Sequence, residues 1–225
     1  MLDVHPPHHR LEGLKDFFIH LLTISVGLLI AVGIEGCVER HQHRELAQAA
    51  RETLRKEIEG NSKTIAGSLA EISKEQTKAG DAIVFLKHVR QYPKDKKAQK
   101  GSITADYSFI SLDDTAWKTA QTTGALAFMP YEEANKYSSI YAAQDRYQAS
   151  QEKIAEDLAQ VMGVIHKYDL DIDMSPEAAS AIMERLGTMQ MHLMMLKLVT
   201  EEASAIDSDF LTGKDSKHNF HEELK

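Results

Sequence analysis

Methionine and histidine side chains crowd one short stretch near the C-terminal end of the sequence, where they could bind a soft metal ion. Thioether sulphur suits Cu(I). Successive positions on a helix point in different directions, however, and methionine commonly fills irregular cores. The pattern therefore favours a packing role for this methionine cluster, with a metal-binding protein as the weaker alternative. Its members are Met183, Met189, Met191, His192, Met194 and Met195.

Three aspartates before the last predicted helix resemble the start of a calcium-binding loop. Asp169, Asp171 and Asp173 have the alternating spacing of such a loop. The loop also needs glycine at its sixth position and glutamate at its twelfth, where this chain has Met174 and Ser180. Acidic residues before a helix N-terminus are in any case favourable to the helix dipole. The sequence therefore predicts no calcium site.

Two further groups of histidines offer poor geometry for a metal ion. One group lies in the N-terminal tail beside two prolines, and the other is the pair His41 and His43. On a helix the side chains of that pair would point about 200° apart. We interpret both groups as solvated side chains and predict no metal ligand and no cofactor. The first group consists of His5, His8 and His9.

No arrangement of residues in the sequence is typical of an enzyme. The single cysteine, Cys37, excludes an internal disulfide and lies at the end of an apolar stretch. No serine lies in a nucleophile elbow, and no glycine-rich phosphate loop is present. A formal net charge of −8 argues against nonspecific binding of nucleic acid. We therefore expect neither catalysis nor a nucleic-acid partner.

An apolar segment near the N-terminus predicts a membrane anchor. The residues from Phe17 to Ile34 include one histidine and no Asp, Glu, Lys or Arg. A membrane span needs about 20 apolar residues, a length that is reached by extending the segment to Val38. A cleaved signal peptide is the competing interpretation, but the preceding tail is not strongly basic and Glu35 interrupts the cleavage zone. We predict a polar tail over residues 1–16 and a transmembrane helix over residues 17–38.

One face of the predicted span carries small residues. Thr23, Gly27 and Ala31 recur every four positions, and small side chains let helix backbones approach closely in lipid. The face predicts self-association or docking to another membrane subunit, although a solitary span also tolerates such glycines. His20 and Glu35 fall near opposite interfaces, where each reaches water. A proton path through the span is therefore disfavoured.

Helical periodicity continues after the predicted span. The long helix to Gln91 has a seam of inward positions with one four-residue stutter. Residues 92–106 contain Pro93, Gly101 and four lysines and predict an exposed loop. The seam of the long helix consists of Leu54, Ile58, Asn61, Ile65, Leu69, Ile72, Gln76, Ala79, Ile83 and Leu86.

Three more helices complete the predicted extramembrane domain. A short one, capped by Asp113 or Asp114, runs to about Phe128, a second begins at Pro130, and the last has Ser175 as its N-cap. We predict an all-α fold in which the anchor continues into a long helix that packs with further antiparallel helices, as a helical bundle over residues 39–211. Residues 212–225 would be a flexible tail. The two later seams are Tyr137, Tyr141, Gln144, Gln151, Ile154, Leu158, Val161, Ile165 and Tyr168, and then Ile182, Leu186, Met189, Leu193, Leu196, Ala203, Ile206 and Phe210.

Three aromatic side chains are the best candidates either to anchor the core or to line a pocket. Trp117 lies beside a face of small residues, which predicts close packing against the long helix. A small-molecule pocket formed with Tyr137 and Tyr141 is the functional alternative, and it would suit a ligand-sensing domain.

Two blocks of the sequence resemble a group of uncharacterised bacterial single-pass membrane proteins. The first, GLLIAVGIEGCVERHQHRELAQAARETLRKEIEGN, covers residues 27–61 and combines a glycine-punctuated span with a charged helix. The second, TAWKTAQTTGALAFMPYEEANKYSSIY, covers residues 115–141 and is more distinctive. The resemblance implies an anchored helical domain in a bacterial inner membrane and supplies no catalytic residues.

The predicted orientation rests on two opposing considerations. Counting Arg10 and Lys15 against the arginines after the span slightly favours a cytoplasmic C-terminal domain. A short tail before an uncleaved anchor usually stays inside when a large domain follows, which favours a periplasmic domain. We predict the second orientation. The protein is then expected to be a scaffold or accessory subunit that contacts the lipid bilayer and acts as a homo-oligomer or with other membrane-protein subunits.

Overall fold

The computed structural model describes residues 13–95, 103, 107–168 and 174–214. Its helices are α1 (Leu14–Gln91), α2 (Thr115–Thr122), α3 (Tyr131–Tyr168) and α4 (Pro176–Thr212), with a 3₁₀ turn at Ala125–Phe128. Within these described ranges there is no β-strand, so the predicted all-α class is confirmed.

The chain divides into two compact units, Met1–Ala49 and Ala50–Lys225. In the described part of the first unit, α1 exposes large apolar side chains over the predicted span; Phe17 is 54% exposed and Ile34 is 62% exposed. By length and composition this is the one described helix that could cross a membrane, and a signal sequence meets the same criterion. Assignment of α1 from Leu14 to Gln91 agrees with the predicted continuation of the apolar segment into a long helix.

Helices α1 and α3 run parallel within the second unit. Arg51 of α1 bonds to Glu133 at the start of α3, and Asn61 of α1 bonds to Gln144 further along it. Position on α3 rises with position on α1 in both contacts, so these two helices are parallel and the predicted antiparallel packing does not hold for this pair. The physical reason is the connection after Gln91, which brings the chain back beside Arg51 before α3 begins.

Helix α4 runs antiparallel to α1, as predicted. Arg55 Nη2 donates to the carbonyl of Leu211 at 3.0 Å, whereas Gln190 Nε2 donates to the carbonyl of Gln76 at 3.2 Å. The position on α4 therefore falls as the position on α1 rises. The Ser175 hydroxyl accepts a hydrogen bond from the backbone N–H of residue 178 and caps α4 as expected.

From Leu54 to Ala79 the buried positions of α1 alternate in steps of four and three residues. Ser68 and Glu75 are each 1% exposed, whereas Leu69 and Gln76 are only half-buried, so the predicted stutter is wrong. Steps of four and three keep one face of a helix turned toward its neighbours. The predicted seam departed from this period at Leu69 and again at Gln76, each one position after the residue that is buried. Over this stretch the buried set is Leu54, Ile58, Asn61, Ile65, Ser68, Ile72, Glu75 and Ala79.

The buried positions of α4 from Ile182 to Asp207 follow the same steps of four and three residues, and two of these positions are polar. Its buried residues include Thr200 and Asp207, neither of which is exposed to solvent. Ile206 and Phe210, which were expected to continue the seam, are only half-buried. The spacing thus places a carboxylic acid at a core position. The buried set on this face is Ile182, Leu186, Met189, Leu193, Leu196, Thr200, Ala203 and Asp207.

Candidate functional site

The three predicted aromatic residues lie in the packed interior of the second unit, with Tyr137 and Tyr141 buried and Trp117 half-buried. The rings of Trp117 and Tyr141 stack with centroids 4.9 Å apart and planes 9° apart. Tyr137 meets Phe210 edge-on at 5.3 Å. Each ring is therefore covered by a ring of the same chain, which favours the role of core anchor over that of a ligand pocket.

A carboxylate from α1 holds the start of α2 next to this stack. Glu57 accepts hydrogen bonds from the backbone N–H of Ala116 at 2.7 Å, from that of Trp117 at 3.3 Å, and from the hydroxyl of Tyr141 at 2.7 Å. Asp114 occupies the N-cap position of α2, but its side chain makes no capping bond. The predicted capping aspartate is thus replaced by a glutamate far away in sequence. We call Glu57, Trp117 and Tyr141 the capping cluster.

The phenol of Tyr141 is held in its protonated form. Burial raises the pKa of this group, and its hydrogen bond to the Glu57 carboxylate raises the pKa further. A phenol that stays protonated remains a donor to Glu57 at every physiological pH. The capping cluster is therefore a fixed structural contact rather than a proton-transfer site.

A second polar cluster crosses the interior and joins all three long helices. Asn61 Nδ2 donates to Gln144 Oε1 at 2.8 Å, and Gln144 Nε2 donates to both carboxylate oxygens of Asp207, at 3.1 and 3.2 Å. All three side chains are at most 3% exposed. We call Asn61, Gln144 and Asp207 the polar layer.

The polar layer also fixes the segment that precedes α2. Asn61 Nδ2 donates to the carbonyl of Asp113 at 2.7 Å, and the backbone N–H of Asp113 donates to Asn61 Oδ1 at 3.0 Å. Gln151 makes the same reciprocal pair of bonds with the backbone of Ile110, at 2.8 and 3.1 Å. Two amide side chains therefore satisfy the backbone of an irregular segment that crosses the helices. Asn61, Gln144 and Gln151 were on the predicted seams but had no predicted role, and their only signal was a polar residue at a core position.

Asp207 is the most perturbed acid of this interior. Burial raises the pKa of its carboxyl from 3.8 to about 7, and the hydrogen bond from Gln144 opposes that rise only in part. The carboxyl can therefore change its charge close to neutral pH. Of the three side chains in the polar layer, it is the one that can gain or lose a proton, since the other two are amides.

The methionine cluster divides between the core and the surface. Met189 is 2% exposed, whereas Met191, Met194 and Met195 are each more than half exposed. His192 Nδ1 lies 2.6 Å from Asp157 Oδ2, so the imidazole pairs with a buried carboxylate of α3. Among the described residues, no group of three or more His, Cys, Asp or Glu side chains could hold a metal ion.

The other sequence-predicted ligand groups offer little support for a metal site. The Asp169, Asp171 and Asp173 motif lies outside the described residues, as does the N-terminal histidine group. His41 and His43 lie beside the carboxylates of Glu45 and Glu39, at 3.3 and 3.9 Å. These pairings agree with solvated side chains on the helix surface.

The small-residue face of the predicted span lies on an exposed part of α1. Thr23 Oγ1 donates to the carbonyl of Ile19 at 2.8 Å, which satisfies the hydroxyl within the helix. Apart from the neighbouring residues and the backbone of the helix itself, no described atom lies within 4 Å of the point where a Cβ on Gly27 would stand. Together with the exposed Ala31, these residues leave room for a second helix to approach.

An open groove of about 270 Å³ lies near the irregular segment of the second unit. Its walls include Phe109 and Ile110 on one side and Gln148 and Gln151 on the other. None of the predicted aromatic residues lines it, so the groove does not supply the ligand pocket that the sequence alternative required.

Three comparisons, with protein-family models, with curated proteins and with solved structures, were made for this chain. No family model, no curated protein and no solved structure is similar to it.

Proposed function

We propose that this protein is a single-pass, membrane-anchored scaffold or accessory subunit that acts through protein–protein contacts. The observation that carries the proposal is the exposed apolar surface of α1 over residues 17–38. Phe17, Leu22 and Leu29 are 54%, 65% and 71% exposed. An apolar surface of this extent is expected to be covered by lipid or by a partner. The length of the segment suits a bilayer core.

The proposed membrane is the bacterial inner membrane, with the helical bundle on the periplasmic side. The resemblance to bacterial single-pass proteins supports the compartment. A reporter fused to the C-terminus tests the orientation directly. We expect alkaline phosphatase to be active and green fluorescent protein to be dark at that position, and the reverse pattern would contradict the periplasmic location.

The interaction part of the proposal is supported by the exposed small-residue face of α1. Thr23, Gly27 and Ala31 leave room there for a second helix to approach. Cross-linking of the full chain in native membranes, followed by mass spectrometry, is the test. We expect the protein in the membrane fraction after alkaline extraction, cross-linked to itself or to another subunit. Recovery only as an unlinked monomer would contradict the scaffold role.

The same experiment separates an anchor from a cleaved signal peptide. We expect peptides from residues 17–38 in the mature protein. A mature chain that begins after Glu35 and leaves the membrane under alkaline conditions would contradict the anchor.

A further inference from the structure

Asp207 occupies a place in α4 where the helix period calls for an apolar side chain. It follows Ala203 by four positions on the buried face, and it is 0% exposed. A carboxylate at such a site loses its hydration, which is costly unless charged or hydrogen-bonding partners replace the lost water.

The surroundings of Asp207 replace that water poorly. Its hydrogen-bond donor is the neutral amide of Gln144, and Asp207 makes no ion pair among the described residues. From α3 it also faces Tyr141, whose phenol stays protonated. From α1 the neighbouring side chain of the layer is the neutral amide of Asn61.

The charged groups at the edges of this region do not neutralise Asp207. Glu57 of α1 is engaged by Tyr141 and adds negative charge, and Asp113 precedes α2 with a further carboxyl. Arg55 of α1 instead donates to the carbonyl of Leu211 near the end of α4. Among the described residues, the site therefore offers an ionised Asp207 no cation that would offset its charge.

We propose that Asp207 is a pH-responsive latch that holds the C-terminal end of α4 against α1 and α3 when it is protonated and releases that end when it ionises. The region released is residues 203–212, which contains Asp207 and the Phe210 ring that packs on Tyr137. The inference concerns the second unit only and does not depend on the proposed membrane anchor.

The direction of the effect follows from proton linkage. Below about pH 4 the carboxyl is protonated in both the closed and the open state, so ionisation contributes no difference. As the pH rises from about 4 to about 7, the open state releases its proton while the closed state retains it, and the closed state loses stability. Above about pH 7 the carboxyl is ionised in both states, and the loss stays constant.

Hydrogen exchange of the full chain in lipid nanodiscs, corrected for the intrinsic pH dependence of exchange, tests the latch. Between about pH 5 and about pH 8, we expect the protection of residues 203–212 to fall by up to about 100-fold in the wild type. Asp207→Asn keeps the shape and the acceptor oxygen but cannot ionise. The protection of residues 203–212 in this variant should therefore be nearly independent of pH. Asp145→Asn, an exposed acid on α3, is the matched control and should behave like the wild type.

A direct titration keeps the proposal testable if Asp207→Asn fails to fold. The carboxyl carbon of Asp207, observed by NMR in the wild-type chain, should titrate near neutral pH, well above the usual range of aspartate. Titration below about pH 5 would overturn the latch. Equal loss of protection in the wild type and in Asp207→Asn would overturn it as well.

Discussion

Glu57 illustrates how a single side chain can hold together three parts of the chain. Its carboxylate lies on α1, accepts two backbone N–H groups at the start of α2, and receives the hydroxyl of Tyr141 from α3. Carboxylates at a helix N-terminus satisfy donors that the helix itself cannot. The short α2 thus takes its cap from another helix, and the Trp117 ring is positioned as a consequence.

Replacing Glu57 by alanine should destabilise the second unit by about 2–3 kcal/mol, because two backbone donors and a buried phenol lose their acceptor. Urea unfolding of the full chain in detergent measures the change. Trp117 is the single tryptophan, so its fluorescence reports this site directly. Glu59→Ala is the matched control; Glu59 pairs with Lys63 on the surface, and we expect little change. Equal effects of the two substitutions would contradict the capping role.

Gln151 gives a second prediction at the residue scale. Leucine at this position is close in size but leaves the N–H and the carbonyl of Ile110 without their partner. We expect a loss of about 1–3 kcal/mol in the free energy of unfolding. Gln148→Leu, one turn earlier on the same helix, removes no described hydrogen bond and should be nearly neutral. Unfolding of both variants at the same urea concentration would contradict the predicted role of Gln151.

The arrangement of the helices depends on polar contacts as much as on apolar ones. A parallel pair such as α1 and α3 cannot be joined by a short turn, so the chain must cross the length of the pair before α3 begins. Asn61 and Gln151 hold that crossing segment through its backbone. The order of the helices in space is therefore tied to residues that lie inside the bundle.

Exchanging the charges of Arg51 and Glu133 tests the parallel register. The two side chains form a two-pronged ion pair at 2.6 and 2.9 Å, about 30% exposed. Arg51→Glu alone places two acids together and should destabilise the protein. Adding Glu133→Arg should recover about 0.5–1.5 kcal/mol, measured by urea unfolding as a double-mutant cycle. No coupling between the two positions would contradict the parallel arrangement.

The helical class could be read from the sequence, whereas the details of the interior could not. Apolar residues mark most buried positions of α1, and Ser175 followed by proline marks the start of α4. Ser68 and Glu75 escaped prediction because the predicted seam passed through their neighbours Leu69 and Gln76, although a strict period of four and three would have included both. The contact of Glu57 with the start of α2 was not predicted for a different reason, because no local sequence pattern links α1 to α2.

The whole molecule combines two units with very different surfaces. The described part of the first unit shows apolar side chains to its surroundings, whereas the second buries most of its own. A mean hydropathy of −0.35 is an average over these unlike parts and hides the first one. The proposed function follows from this contrast, because the exposed apolar side chains of the first unit are expected to be covered by lipid or by a partner.

Self-association through the first unit should depend on its small residues. Gly27→Leu together with Ala31→Leu should weaken cross-linking between copies in native membranes by several-fold, because the larger side chains keep the backbones apart. Gly33→Leu lies on a different side of the same helix and serves as the control. Equal loss in the control, or no loss in the double variant, would contradict this face as the contact.

The polar layer also sets the order of events while the ribosome makes the chain. Asn61 cannot form its hydrogen bond to Gln144 until that residue, 83 positions later, has been synthesised. The bond from Gln144 to Asp207 needs a further 63 positions. At about 5–20 residues per second, each interval lasts several seconds. During that time the buried face of α1 in the second unit has not yet met the helices that cover it in the folded chain. Folding of the bundle can finish only after the last helix has left the ribosome.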